Sequence, residues 1–162
     1  MLHYYKLYWL NAFKIQGRAR RKEFWYPVLA TLIIEIIASI LNAVLPLPSW
    51  LTYTIATVFT IVNYIPSFTV TVRRFHDISM TMKIPIILFA LTILSDIGSI
   101  IPNVNYDFNF NNAFNITIAI IGLIIFLIFI VLAIASLIAC CTRGNEASNK
   151  YGANPKYVNE LK

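Results

Sequence analysis

"ITIAIIGLIIFLIFIVLAIASLIA", residues 116–139, runs 24 positions without a charged side chain. A helix of that length rises about 36 Å, enough to cross a hydrocarbon layer about 30 Å thick. Its β-branched residues do not argue for a strand, because an open strand edge has no hydrogen-bond partner in lipid. Working outward, three more stretches have the length and apolar character of a membrane helix. Together they predict spans at about 24–45, 50–72, 84–101 and 116–141. The fold class expected is an all-α membrane protein with four transmembrane helices.

The bulk composition agrees. Of 162 residues, 59% are hydrophobic and 12% are charged, with a mean hydropathy of +0.71. A soluble domain usually carries about 25% charged residues. The chain also has a formal net charge of +6, and the placement of its cations explains that excess. Six of the thirteen Lys and Arg residues precede the first span: Lys6, Lys14, Arg18, Arg20, Arg21 and Lys22. Arg73, Arg74 and Lys83 lie between spans two and three, and Arg143, Lys150, Lys156 and Lys162 follow span four. The remaining two connections have none. Under the positive-inside rule both termini and the middle connection face the cytoplasm. The basic charge is thus accounted for without nucleic acid.

The connections read as hairpins. Pro46 and Pro48 turn the chain between spans one and two. An Asn-rich loop, "PNVNYDFNFNNAFN", joins spans three and four, and Asn115 in it opens a formal glycosylation sequon that needs a eukaryotic secretory host. No cleavable leader is expected, since the first long apolar run continues for a full span with no Ala-x-Ala site. Cys140 and Cys141 are adjacent, which fits a disulfide poorly, and no His/Cys cluster suggests zinc. No cofactor is implied.

Residues 1–16, "MLHYYKLYWLNAFKIQ", place aromatic and apolar groups at 5, 8, 9, 12 and 13, with Lys6 and Lys14 elsewhere on the wheel. One reading is an amphipathic helix lying in the membrane interface. The other is an aromatic cap packed on the helices. The organisation expected is therefore an interfacial helix over 1–16, a transmembrane domain over 17–142, and a cytoplasmic tail over 143–162.

Two charged blocks stand at membrane boundaries. "GRARRKEFW" (17–25) enters span one, and "VRRFHD" (72–77) leaves span two. A short turn makes these spans antiparallel neighbours, so the blocks should meet. Glu23 then comes within reach of Arg73 or Arg74, and Arg18 or Arg20 within reach of Asp77. Arg–carboxylate pairs are directional and can lock helix ends together. The plainer reading leaves the arginines to hold topology, their stems snorkelling to phosphates. The candidate cluster is Arg18, Arg21, Glu23, Arg73, Arg74, His76 and Asp77.

With a third block, "NKYGANP" (149–155), the order of motifs resembles the small bacterial inner-membrane proteins grouped as domain of unknown function 805 (DUF 805). The resemblance runs from about Tyr8 to Pro155. It rests on Gly17, Arg18, Arg21, Glu23, Phe24, Trp25, Arg73, Arg74, His76, Asp77, Asn149, Tyr151, Gly152 and Pro155. It implies about four spans, a bacterial cytoplasmic-membrane location and no established activity. Two departures occur. The family continues after His-Asp with a Gly-Arg-Ser-Gly-Trp-like turn, where this chain has Ser79-Met-Thr-Met-Lys83. The family aromatic two residues before Gly17 is Ile15 here.

Polar residues recur within the spans. Thr31, Glu35, Ser39 and Asn42 form a stripe on span one. Thr60, Asn63, Ser67 and Thr71 do so on span two, and Thr92, Asp96 and Ser99 on span three. Such stripes are expected to face inward and bond across helices. Glu35 sits near mid-span, where an ionised side chain costs at least roughly 2.5–3.5 kcal/mol; Asn63 or Thr60 is its expected partner by depth. Asp96 lies near the outer end of span three.

Three functions fit these features. The first is a basic cytoplasmic face that binds anionic lipid headgroups, a protein partner or a second copy. The second is a transporter of protons or a small solute along a polar seam containing Glu35, with His76 and Asp77 at its cytoplasmic mouth. The third is a membrane enzyme on a phosphorylated substrate, with His76 as base, Asp77 as its orienter, and Arg73 and Arg74 on the phosphate. No nucleophile elbow, P-loop or His-Glu-x-x-His motif supports the third. Binding is the reading that the residues favour.

Overall fold

Pro27 and Pro66 lie inside the helices that begin and end the candidate site, and both are buried. Proline is tolerated within membrane helices because neighbouring groups re-satisfy the freed backbone. The computed structural model describes residues 1–45, 47–100 and 113–158. They form α1 (Leu2–Leu10), α2 (Arg21–Val44), α3 (Ser49–Asp77), α4 (Lys83–Ile100), α5 (Ala113–Cys141) and α6 (Pro155–Val158). No strand occurs among the described residues; Asn149 and Gly152 make an isolated bridge. The expected turn at Pro46, the loop over 102–112 and Lys162 lie outside the described residues.

Among the described residues three helices are long and apolar enough to cross a membrane: Arg21–Val44, Ser49–Asp77 and Phe114–Cys141. Their outward faces are crowded with exposed Ile, Leu, Val and Phe, among them Leu32, Ile36, Ile40, Ile61, Leu123 and Phe126. In the most apolar part of α5 none of the residues is buried by protein. Water would penalise each such side chain by about 1.5–3 kcal/mol relative to burial. Lipid removes that penalty, and the chain is a membrane protein. At 18 residues, α4 is about 27 Å long. Pro85 lies in its first turn, where no backbone bond is lost.

The chain divides into two compact units, Met1–Met82 with Ala139–Lys162, and Lys83–Ile138. The second holds α4 and most of α5. The first holds α1, α2, α3, the last turn of α5 and the tail. Its small core is Tyr8, Ala19 and Val70, with Tyr5, Trp9 and Phe24 packed on them. Helix α1 covers nine residues of the sixteen expected, and it lies against α2 and α3. Tyr4 stacks on Tyr26 of α2 at 5.2 Å. The Tyr8 hydroxyl meets Ser67 Oγ of α3 at 2.7 Å and donates to the Asn63 carbonyl at 3.3 Å. Burial pushes the Tyr8 hydroxyl above the ordinary phenol range, against the opposing effect of the Ser67 bond. Helix α1 thus packs on α2 and α3 through its aromatic residues.

The end of α3 fixes the site. Met80 N donates to Phe75 O at 2.9 Å and Ser79 N to His76 O at 3.1 Å. This is the paired pattern of a Schellman ending, which needs a left-handed residue. Ser79 supplies it, with φ +62°. Glycine is the residue that adopts such a φ without steric cost, so serine here carries some strain.

Candidate functional site

Asp77 is the last residue of α3 and is 5% exposed. Two guanidinium groups close on it. Arg18 Nε donates to Oδ1 at 2.9 Å, and Arg74 Nη1 donates to Oδ2. Arg74 comes from one turn earlier on α3 and has no exposed surface. Arg18 arrives from the strand-like lead into α2, held there by Ala19 N donating to Arg73 O at 3.0 Å.

One carboxylate cannot balance two guanidinium groups, and backbone carbonyls absorb the rest. Arg74 Nε donates to Cys140 O at 3.1 Å, Nη2 to Thr142 O, and Nη1 also to Ala19 O at 3.4 Å. Arg18 Nη1 donates to Ala147 O at 2.8 Å and to Gly152 O at 3.4 Å. Its Nη2 reaches Asn145 O and Asp77 O. Several of these carbonyls are the orphaned last acceptors of α3 and α5, where the helix dipole is negative and a cation is favoured. The arginines therefore cap two helix ends while tying residues 18–19, 73–77 and 140–152 into one knot. Such contacts occupy all five N–H donors of Arg18 and four of the five of Arg74. Neither has a face left for a phosphate.

Gly144 completes the knot. A Cβ there would overlap the Asp77 carboxylate, so the tail can pass only as bare backbone. Asn145 N then donates to Asp77 O at 2.9 Å. Farther along, Asn149 Nδ2 donates to His76 O at 2.9 Å and to Ser79 Oγ at 3.1 Å, and Asn145 Nδ2 to Ser79 Oγ at 2.6 Å.

His76 has other partners. Its ring lies on Tyr151, with centroids 3.7 Å apart and planes 7° from parallel. Nδ1 donates to Gly17 O at 3.3 Å, at a glycine with φ +95°. That bond assigns the proton to Nδ1. Asp77 does not orient His76; its oxygens are taken by Arg18 and Arg74. Ser79 Oγ accepts from Asn145 and Asn149.

Glu23 and Arg73 feel each other's charge on the neighbouring faces of α2 and α3. Arg73 is 5% exposed, and its Nε is buried with no hydrogen-bond partner. Arg21 Nη1 makes a long contact of 3.5 Å with Cys141 O. The structure thus gathers Arg18, Arg74, His76 and Asp77 with the tail, and sets Glu23 with Arg73 beside them. Cys140 is buried and Cys141 exposed, with no disulfide among the described residues.

The intramembrane residues separate. Asn63 is buried and donates Nδ2 to Phe59 O at 2.9 Å, so Glu35 does not pair with it. Thr60, Glu35, Ser39 and Asn42 are exposed on the chain. A crevice of about 280 Å³ between α1, α2 and α3 is lined by Glu35 and Thr31 with Ser67, Thr71 and Tyr8. Asn42 Oδ1 accepts from Thr52 Oγ1 at 2.9 Å. Asp96 is half-buried on α4, in the other unit. The side chain of Ser99 lies outside the described ones.

A larger cavity, about 490 Å³, opens beside the knot. Five cations line it, Arg20 from the lead into α2, Arg21 and Lys22 from α2, and Arg143 and Lys156 from the tail, against the carboxylates Asp77 and Glu146. Asp77 is already held by two arginines, and Glu146 pairs with Arg143. The cavity is therefore electropositive.

Helices with outward apolar faces, joined at one end by buried arginines on a carboxylate, define a helical membrane protein with a charged terminal knot. The family model for "Protein of unknown function (DUF805)" matches residues 12–153, which hold the first two blocks and most of the third, and the chain belongs to that family. It is 24% identical over 147 residues to the inner membrane protein YhaI of Escherichia coli strain K12, covering 91% of this chain and 90% of that one. The YhaI protein of E. coli O157:H7 matches to the same extent. No solved structure matches.

Proposed function

We propose that this protein is a multi-pass component of the bacterial cytoplasmic membrane whose basic face binds anionic lipid headgroups. In this reading α4 is a fourth span, α1 lies at the headgroup interface, and both termini and residues 73–83 are cytoplasmic. The name of the E. coli relatives supports the location. The distribution of Lys and Arg supports the orientation. The observation that carries the binding is the electropositive cavity at the start of α2, where Arg20, Arg21 and Lys22 stand outside the ion pairs that hold Asp77 and Glu146. Each basic residue near an anionic surface contributes about 1 kcal/mol, and salt screens the effect.

The test is lipid enrichment around the purified protein in bilayer discs of mixed phosphatidylglycerol and phosphatidylcholine. Reversing Arg20, Arg21 and Lys22 to glutamate should abolish a salt-sensitive enrichment of phosphatidylglycerol. Arg18 is left untouched because its charge is engaged internally. An unchanged lipid shell in the triple variant would remove the proposal. Capture of a protein partner that depends on the same three residues would replace lipid with protein as the occupant.

A second reading rests on the crevice with Glu35. It places one carboxyl and the hydroxyls of Thr31, Ser67, Thr71 and Tyr8 between α1, α2 and α3, a suitable lining for a proton or small-solute path. Proteoliposomes carrying Glu35→Gln should then lose the flux that the wild type supports; equal flux in both would end this reading.

A further inference from the structure

The electropositive cavity does not end at its charged wall. A second hollow, also about 490 Å³, shares Arg21 and Lys22 with it and continues along Trp25, Tyr26 and Leu29 to Cys141. Residues 22, 25, 26 and 29 fall on one side of α2 by helical spacing. The groove thus runs from the charged cavity down the first turns of a membrane span, and its lining changes from guanidinium and ammonium to aromatic and aliphatic. Lipid molecules have the same polarity gradient. Trp and Tyr at this depth match the headgroup boundary of a bilayer.

From this continuity we infer a discrete site for one membrane phospholipid whose headgroup carries two phosphates, with the phosphates among Arg20, Arg21 and Lys22 and one acyl chain in the Trp25–Leu29 groove. The inference rests on the reading of the basic face as a lipid-binding surface and adds stoichiometry and chemistry to it. Two phosphates are favoured over one by the charge count. Of the five cations that line the cavity, Arg143 is paired with Glu146, while Asp77 is held by Arg18 and Arg74, so Arg20, Arg21 and Lys22 stand outside these ion pairs. A single phosphodiester leaves most of that charge unbalanced. Basic pockets at the ends of membrane helices suit headgroups of this class.

The experiment is a native mass spectrometry titration of the full chain in mild detergent, with tetraoleoyl cardiolipin as the two-phosphate probe and dioleoyl phosphatidylglycerol as the one-phosphate probe. Inorganic pyrophosphate serves as the soluble competitor. One cardiolipin should bind saturably and at least about tenfold more tightly than phosphatidylglycerol. The double variant Arg20→Gln/Lys22→Gln should weaken cardiolipin binding about thirtyfold. Leu29→Trp fills the groove and leaves every charge in place, so it should also weaken binding, whereas Leu29→Ile should not. An unaltered thermal transition in both Leu29 variants shows that folding is not the cause.

Equal affinity for the two lipids overturns the two-phosphate assignment. Full-strength binding in Leu29→Trp overturns the groove. Displacement by pyrophosphate at lipid-equivalent concentrations means a soluble ligand and overturns the lipid. A salt-sensitive, non-saturating shell of anionic lipid that ignores Leu29→Trp sinks the discrete site but leaves the general lipid reading standing. Loss of all anionic preference sinks both.

Discussion

Replacing Asp77 with asparagine would keep the side chain's shape and remove the charge between Arg18 and Arg74. Two buried cations would then face each other with carbonyls alone for compensation. Breaking a buried pair in this way costs roughly 3–5 kcal/mol. Asp77→Asn should therefore lower the unfolding free energy in detergent by about that amount, and a denaturation midpoint equal to the wild type would refute the hub. Gly144→Ala should destabilise the same knot by steric overlap with Asp77, and its measurable sign is faster proteolysis of the tail. Ser79 separates backbone from hydroxyl. Alanine keeps the left-handed strain and loses the asparagine contacts; glycine loses the contacts but relieves the strain. Ser79→Gly should thus be more stable than Ser79→Ala by about 1 kcal/mol, compared by thermal unfolding. The sequence could pair Arg18 with Asp77 because both are charged and at facing helix ends. Gly144 was hidden, since a glycine's clearance depends on what lies across from it. The carbonyls that complete Arg18 and Arg74 were hidden too, because every residue has one.

At the scale of elements, the tail is the part most dependent on the knot. Among its described residues, the four of α6 are the helix it holds. Its order comes from Arg18, from Asn149 on His76 and Ser79, and from the His76–Tyr151 stack. Aromatic stacking of this kind is worth about 0.5–1.5 kcal/mol beyond area burial. Tyr151→Leu keeps the bulk and removes the stack, so residues 149–155 should exchange amide hydrogens several times faster while those of α3 stay protected. Equal protection would assign the ordering to Asn149 and Arg18 alone. The helices α2, α3 and α5 were legible from apolar length, and the antiparallel pairing of α2 and α3 from their short connection. The extent of α1 was not. Its aromatic residues suit a membrane interface and a packed cap equally, and the choice depends on Ser67 and Asn63, more than fifty residues away. The seam was half legible: periodicity placed Glu35, Ser39 and Asn42 on one stripe, but it does not say that a neighbouring helix covers that stripe.

For the whole molecule, the three charged blocks recognised in order along the chain meet in one place, although residues 18 and 152 are separated by most of its length. The knot draws on the lead into α2, the end of α3, the end of α5 and the tail, so its parts emerge at very different times during synthesis. Arg74 and Asp77 are in place once the first two long helices have been made. The acceptors at Cys140, Thr142, Asn145 and Ala147 follow Asp77 by more than sixty residues. Until then a nascent chain holds two arginines with half their partners missing, at the end of a helix already inserted. A ribosome that stalls before residue 140 leaves a product marked by unsatisfied charge, while a chain made past residue 152 conceals it, so closure of the tail reports that its acceptors have been synthesised.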